Sequence, residues 1–317
     1  MDEEGEQPLI KATKLFVGNY KGGVGKTTSI YQLAFHMVTK GKRVLLIDLD
    51  PQCSLSEICL SKTESNLNTL QDDESLNYIY DLWNEKKKLP LVKVEFNANK
   101  LIKQTKEGIH FIPSNIFYRG GGLDELSLKL SHDFYDLLPL QQFFKESEIE
   151  HDFDYILFDC PPSNTMLTQG AFLLSDYYVI PSIIQTLSIR GVVHYIKTVD
   201  SIFEKRCTSS EHSLLASACF GEKPKLLGIF ETLKKGTVNN SSELQDLKDE
   251  LQNVNIDSLQ PHYLFQTVIK SNEHIARDTA NGTLCDEYGP LTNELLHCIE
   301  GTNSSSASIV GEKQWIR

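Results

Sequence analysis

No stretch of the 317 residues approaches the roughly 18–20 consecutive apolar residues that cross a bilayer, so a membrane-spanning role is not expected. The opening "MDEEGEQP" has no basic flank and no apolar core, which sets aside a secretory signal. The seven cysteines, Cys53, Cys59, Cys160, Cys207, Cys219, Cys285 and Cys298, are odd in number and contain no C-x-x-C. That argues against a disulfide framework or structural zinc site and fits a reducing cytoplasm. The nine histidines contain no H-E-x-x-H spacing, so a zinc-hydrolase signature is missing too. Basic residues are outnumbered 43 to 31, for a formal charge of −12. A uniformly basic nucleic-acid binder is therefore excluded, although a local basic patch could still contact phosphates. The chain shows neither an internal repeat nor a convincing linker. One α/β domain is expected over residues 14–300, preceded by a flexible polar lead (1–13). A Ser-rich tail (301–317) is expected to be disordered.

The apolar pattern supplies the fold class. "KLFVGN" (14–19) is a short β-rich run that ends in a glycine-rich loop. In 26–42, Ile30, Leu33, Ala34, Met37 and Val38 recur at helical spacing, with Gly41 as the stop. "RVLLIDLD" (43–50) is an apolar strand closing in acids. Strand, loop, helix and strand make one βαβ unit, which implies a doubly wound, mostly parallel β-sheet flanked by helices. Further strands are expected at 108–115, 152–163, 177–181, 225–230 and 264–269, and helices at 71–83, 188–205 and 290–300.

The chemistry concentrates in "NYKGGVGKTTS" (19–29). Gly22, Gly23 and Gly25 allow successive backbone N–H groups to converge on phosphate oxygens, with Val24 between them. Lys26 offers a point charge for the β- and γ-phosphates and the Thr27 hydroxyl suits Mg²⁺, with Thr28 next in the helix. The strict G-x-x-x-x-G-K-[ST] pattern fails at Tyr20, and the loop holds a second lysine, Lys21. Asp48 and Asp50 close one expected strand and Asp159 another, where parallel sheets bind ligands. Asp159 is a candidate for the Mg²⁺ shell, and one of the other two could orient a water.

"KGGVGKTT", "VLLIDLDPQ" and "FDYILFDCPPS" together resemble the ParA/Soj family of partition ATPases, related to MinD. Looser matches are "IPSN" (112–115), the spacing "VIPS…LSIRG" (179–191) and "LFQTVIKSN" (264–272). The resemblance implies a P-loop NTPase fold of the deviant Walker A type and an ATP-dependent homodimer that hydrolyses ATP. Lys26 would bind the phosphates of its own ATP and Lys21 those held by the partner. Asp50 would position water, Asp48 and Asp159 would hold Mg²⁺ through its waters, and Asn272 would contact adenine. Residues 48–54 and 159–170 match the two switch segments. A ParB-type centromere-binding protein would stimulate hydrolysis, the ATP dimer would bind non-specific DNA, and the protein would sit in the cytoplasm on the nucleoid. Positioning of another cargo, or ATP serving only as a dimer clamp, remain as alternatives.

The sequence departs from that family where DNA is concerned. Only about 13 residues precede the first strand, too few for a helix-turn-helix. One arginine-bearing segment of the family reads "KKGT" here and another "IKSN", so Thr237 and Ser271 stand where arginines are usual. Basic character is shifted to Lys234, Lys235, Lys270 and Arg277 as candidate phosphate contacts. The segment 204–224 looks longer than the family's usual connection, and the C-terminus lacks the amphipathic helix of a membrane anchor.

Overall fold

Four consecutive apolar strands alternate their side chains between two cores, and this alternation makes the domain. Leu15 and Val17, Val44 and Leu46, Tyr155 and Leu157, and Tyr177 and Val179 face one core. Their neighbours Phe16, Leu45, Ile47, Ile156, Phe158, Tyr178 and Ile180 face the other. Successive Cβ atoms on a strand point to opposite faces, so a strand apolar at every position must be covered on both sides.

In the computed structural model, residues 11–88, 96–130, 133–236, 240–252 and 263–312 are described, with the side chains of Leu187 and 303–312 left out. The strands are β1 (Thr13–Val17), β2 (Val44–Asp48), β3 (Lys103–Gln104), β4 (His110–Ile112), β5 (Tyr155–Asp159), β6 (Tyr177–Ser182), β7 (Lys225–Lys234) and β8 (Leu264–Lys270). They form one sheet in the order β3-β4-β2-β5-β1-β6-β7-β8. Only β3 runs antiparallel, against β4. The helices Lys26–Thr39 and Tyr288–Glu312 contribute to one core, and Leu76–Lys88, Pro139–Ser147, Met166–Leu174 and Thr186–Phe203 to the other. The expected α/β class, doubly wound with a mostly parallel sheet, is what the structure has.

Both ends of the domain differ from the sequence expectation. Residues 1–10 of the expected lead lie outside the described residues, but 11–13 are built in. Ala12 is buried and its N–H donates to the Glu150 carbonyl at 2.7 Å, while Lys11 and Lys14 both pair with Glu150. At the other end, the last helix runs on to Glu312 where a disordered tail was expected from 301. No proline interrupts 301–312, and at Thr302 the hydroxyl meets that of Tyr177 at 2.8 Å, tying the extra turns to the start of β6. Residues 313–317 lie outside the described residues.

The segment 204–224 carries structure of its own: a π-helical turn, Glu204–Thr208, then a helix, Ser213–Phe220.

Packing is tight around the helix Met166–Leu174. A Cβ added at Gly170 would fall 2.7 Å from the backbone carbonyl oxygen of Leu137, which cannot swing aside as a side chain would. Gly170→Ala should therefore destabilise the fold by roughly 1–3 kcal/mol, read as a fall in denaturant midpoint at unchanged m-value. A variant as stable as the parent would show that the Leu137 strand of backbone yields.

Candidate functional site: a phosphate loop at the carboxyl ends of three strands

Sheet order brings the site together. β2, β5 and β1 are neighbours, with Asp48 opposite Asp159 and Asp159 opposite Val17 in register. The two acids and the start of the glycine-rich loop therefore meet at one edge, although 111 positions separate Asp48 from Asp159 in the chain.

The loop leaves β1 through Gly18 and Asn19. A Cβ at Gly18 would lie 1.9 Å from the Tyr195 hydroxyl, so this position is closed to other residues. Asn19 is buried; its amide donates to the Pro181 carbonyl at 2.9 Å and its side-chain oxygen accepts from Lys21 N–H at 2.9 Å. It thus ties the loop to the end of β6. Gly23 and Gly25 have φ of 71° and 77°, the left-handed region that glycine tolerates best. Added Cβ atoms at Gly22, Gly23 and Gly25 would meet nothing within 4 Å, so these glycines border open space, as a cradle for phosphate requires. Val24 is fully buried beneath them, and its carbonyl accepts from the Thr232 hydroxyl at 2.8 Å. The helix Lys26–Thr39 then starts with no acid in its first turn, leaving its N-terminal N–H groups and dipole available to an anion.

The two lysines are held differently. Lys26 is buried, and its ammonium donates to the carbonyls of Asn19 at 3.1 Å and Lys21 at 3.2 Å. Burial draws its pKa down, while the charges of Asp159 and Asp50 hold it up. Lys21 is exposed, and its ammonium donates to the Ser188 hydroxyl at 2.9 Å, at the start of the helix Thr186–Phe203. Tyr20, the residue that breaks the strict loop pattern, stacks edge-on against Tyr195 of the same helix, 4.8 Å between centroids. Thr27 and Thr28 are half-buried in the first helical turn.

The acids divide their work. Asp48 is buried and accepts three hydrogen bonds, from Asp50 N–H at 3.0 Å and from Ser56 N–H and Oγ–H at 2.9 and 2.5 Å. It shapes the turn that presents Asp50. Asp50 is partly exposed; its Oδ1 accepts from Gln52 N–H at 2.9 Å, and its carbonyl accepts from the Ser114 hydroxyl at 3.2 Å. Asp159 is 1% exposed, and among the described residues neither carboxylate oxygen makes a hydrogen bond of ordinary geometry, although the Thr27 hydroxyl is near enough to draw its pKa down. A buried, unpartnered carboxylate is costly, so this one is suited to a cation or its water shell. Among the described residues no group of three His, Cys, Asp or Glu side chains could hold a metal by itself. Mg²⁺ fits such a place, since it takes one or two carboxylates together with phosphate oxygens and water. Asn272 caps the helix Glu273–Ala280 just beyond β8, on the same edge of the sheet but exposed.

Burial raises the pKa of both inner acids. Asp48 is pushed up to about 6, against the pull of the Ser56 donors. Asp159 is raised well above the usual range, by burial first and then by the charge of Asp48. Because the folded values exceed 3.8, the native state holds these protons more tightly than the unfolded chain. Their contribution thus favours folding at low pH and is lost as pH rises, for Asp48 from about 4 through 6 and for Asp159 over a higher range. For Asp48 alone that amounts to on the order of 3 kcal/mol. Added Mg²⁺ should therefore raise the denaturation midpoint at pH 7 more than at pH 5; an equal rise at both would detach the metal from these acids.

Of the four basic candidates, Lys234 is turned inward. Its ammonium donates to Asn240 Oδ1 at 2.9 Å and pairs with Glu231 at 3.5 Å. Lys235 and Lys270 are exposed, and Arg277 is exposed beside Asp278. Thr237 lies outside the described residues. Sequence reasoning assigned no role to Asn19, Ser56, Ser188 or Thr232. Asn19 lies inside the loop motif and Ser188 inside the looser match at 187–191, and Ser56 is only eight positions from Asp48; Ser188 and Thr232 lie far along the chain from what they hold.

The chain is also similar to known proteins. The chain is 34% identical over 179 residues to a virulence plasmid ParA family protein, pGP5-D, of Chlamydia psittaci, covering 55% of this chain and 58% of that one. It is 23% identical over 285 residues to the chromosome-partitioning ATPase Soj of Thermus thermophilus, covering 89% and 90%. A family model described as an AAA domain matches residues 12–211. The chain belongs to this family, in its ParA/Soj branch. The family's P-loop NTPase fold extends further: cobyrinic acid a,c-diamide synthase from Mycobacterium smegmatis, solved with bound ADP and magnesium, superposes with a TM-score of 0.62. Its identity is 23%, with 91% of this chain and 96% of that one covered. The chain spans about three fifths, 58% to 62%, of the length of several curated relatives it matches. Among the described residues no helix is long and apolar enough to cross a membrane.

Proposed function

We propose that this chain is a Mg²⁺-ATP-dependent dimerising switch that hydrolyses ATP and serves partition of a plasmid or chromosome. The observation that carries this reading is the second lysine. Lys26 already lies inside the loop, bonded to its carbonyls, whereas Lys21 reaches out to Ser188. A cation in that position is free to exchange a neutral hydroxyl for the phosphates bound by another copy. Two facing ATP molecules repel each other, so a lysine donated from each side would make closure depend on nucleotide and would also stabilise charge in the transition state.

Thr27 and Asp159 are the residues to hold Mg²⁺, which when bound neutralises charge on the phosphates. Asp48 serves by fixing the turn before Asp50, and Asp50 is placed to orient a water. Asn272 would lie at the base. The relatives named for plasmid and chromosome partition support the biological role. A ParB-type protein as stimulator follows from the family alone. For non-specific DNA, Lys235, Lys270 and Arg277 remain on the nucleotide edge of the sheet as phosphate contacts, with Lys234 held by Glu231.

Light scattering with ADP, ATP, and ATP plus DNA tests the reading. The parent protein should double in mass with ATP and be retained on DNA at low salt. Lys21→Ala should still bind ATP but stay monomeric, and Lys235→Glu with Lys270→Glu should dimerise yet lose DNA. A Lys21→Ala protein that still dimerised with ATP would sink the role given to this lysine.

A further inference from the structure

A second polar cavity lies behind the switch segment, away from the phosphate loop. It has a volume of about 300 Å³ and opens between the start of the helix Met166–Leu174 and the end of the helix Thr186–Phe203. Asn164, Gln169, Thr198, Ser201, Lys205 and Arg206 line it, together with one isoleucine. No acid is among them. Two cations, four neutral polar groups and a single apolar residue are the wrong lining for an apolar ligand and a good one for an oxyanion. The volume is at the small end of ligand pockets.

The cations reach this cavity through an irregularity in the backbone. Residues 204–208 form a π-helical turn, directly continuing the α-helix. Such turns are rare and concentrate at functional sites. The extra residue changes the phase of the helix, so that Arg206 faces the cavity while Cys207 is buried. The guanidinium is fixed in place: its Nε donates to Gln169 Oε1 at 3.2 Å, and an η nitrogen lies 3.6 Å from the Met166 sulfur. Gln169 is itself only 9% exposed. A cation so braced is held in place to face an anion in the cavity.

The walls belong to the two elements that serve the nucleotide. Asn164 and Gln169 lie in the segment 159–170 that starts at Asp159. Thr198 is on the helix whose first turn holds Lys21 through Ser188, and the hydroxyl of Tyr20, next to Lys21, lies against Thr198. We propose that this cavity binds a small ligand carrying at least two negative charges as phosphate or carboxylate groups, with Arg206 as its principal contact. Bound there, the ligand bridges the switch segment to the helix behind Lys21. Binding stands on the cavity alone; its regulatory effect on nucleotide rests on the function proposed above.

The test uses the full chain with Lys26→Ala, so that the phosphate loop does not compete. Pyrophosphate and citrate are titrated by calorimetry into this protein, then into the same protein carrying Arg206→Gln, and separately Ser201→Trp, which fills the cavity from the helix that leads into the Arg206 turn. Saturable binding of one or both probes is expected, weakened about tenfold or more by Arg206→Gln and abolished by Ser201→Trp. Thermal melts of each variant check that the fold is kept, and Ser201→Trp decides the matter if Arg206→Gln unfolds. Absence of saturable binding, or binding untouched by both changes, overturns the proposal. If Lys26→Ala instead still bound ATP like the parent, the function proposed for the loop would fail while this site would stand.

Discussion

Replacing Lys26 with alanine should weaken ATP binding by about a hundredfold or more while leaving the fold intact. The magnitude follows from what the side chain is. It is a buried cation whose ammonium contacts only two loop carbonyls and whose charge is sustained by Asp159 and Asp50. Charge-assisted hydrogen bonds are worth roughly 1.5–3 kcal/mol each, and a cation aimed at an anionic ligand in a dry site makes more than one. The fold should survive because burying the ammonium is itself unfavourable, as its lowered pKa records. Lys26→Arg separates charge from shape. The guanidinium keeps the charge but cannot sit as a point donor between the Asn19 and Lys21 carbonyls, so affinity should still fall. Titration of a fluorescent ATP analogue reads both variants; Lys26→Ala within threefold of the parent would remove this lysine from the phosphate site.

The loop was legible in the sequence because its parts are contiguous. Glycines, lysine and threonine fall within 22–27, and the flanking strand and helix are strongly patterned, so the expected strand, loop and helix are where the structure has them. The fold class was legible for the same reason, since each apolar run is local. What escaped was long-range. Ser188 is 167 positions from Lys21, and Thr232 is 208 from Val24. The match at 187–191 takes in Ser188 without marking it as the holder of a loop, and no motif points to Thr232. The turns at 204–220 and beyond 300 escaped differently: their sequences are weakly periodic, mixing polar runs with small apolar ones, and contacts such as Arg206–Gln169 and Thr302–Tyr177 hold them in place. Lys234 read as a surface cation because Glu231 and Asn240 turn it inward only once β7 has formed.

Asp50→Ala should lower ATP turnover by roughly a hundredfold to a thousandfold without weakening ATP binding, and should hold the protein in its ATP form. General-base and water-orienting carboxylates contribute on that scale. Three features of the site single out Asp50 rather than its neighbours. Asp48 has both oxygens committed to Ser56 and to Asp50 N–H, so it cannot turn toward a water without breaking the turn. Asp159 is sealed at the bottom of the strand edge, where its unpartnered oxygens suit a cation shell. Asp50 alone is partly exposed, and its carboxylate is steadied by one bond from Gln52 N–H rather than consumed. Ser56→Ala supplies the control: it removes one of the three donors to Asp48, the Ser56 hydroxyl, spares the two backbone N–H groups, and should cost turnover less than Asp50→Ala does. Phosphate release under saturating ATP, with nucleotide affinity measured alongside, checks both. Normal turnover by Asp50→Ala would end its assignment, and a Ser56→Ala loss as deep as that of Asp50→Ala would move the catalytic weight to Asp48.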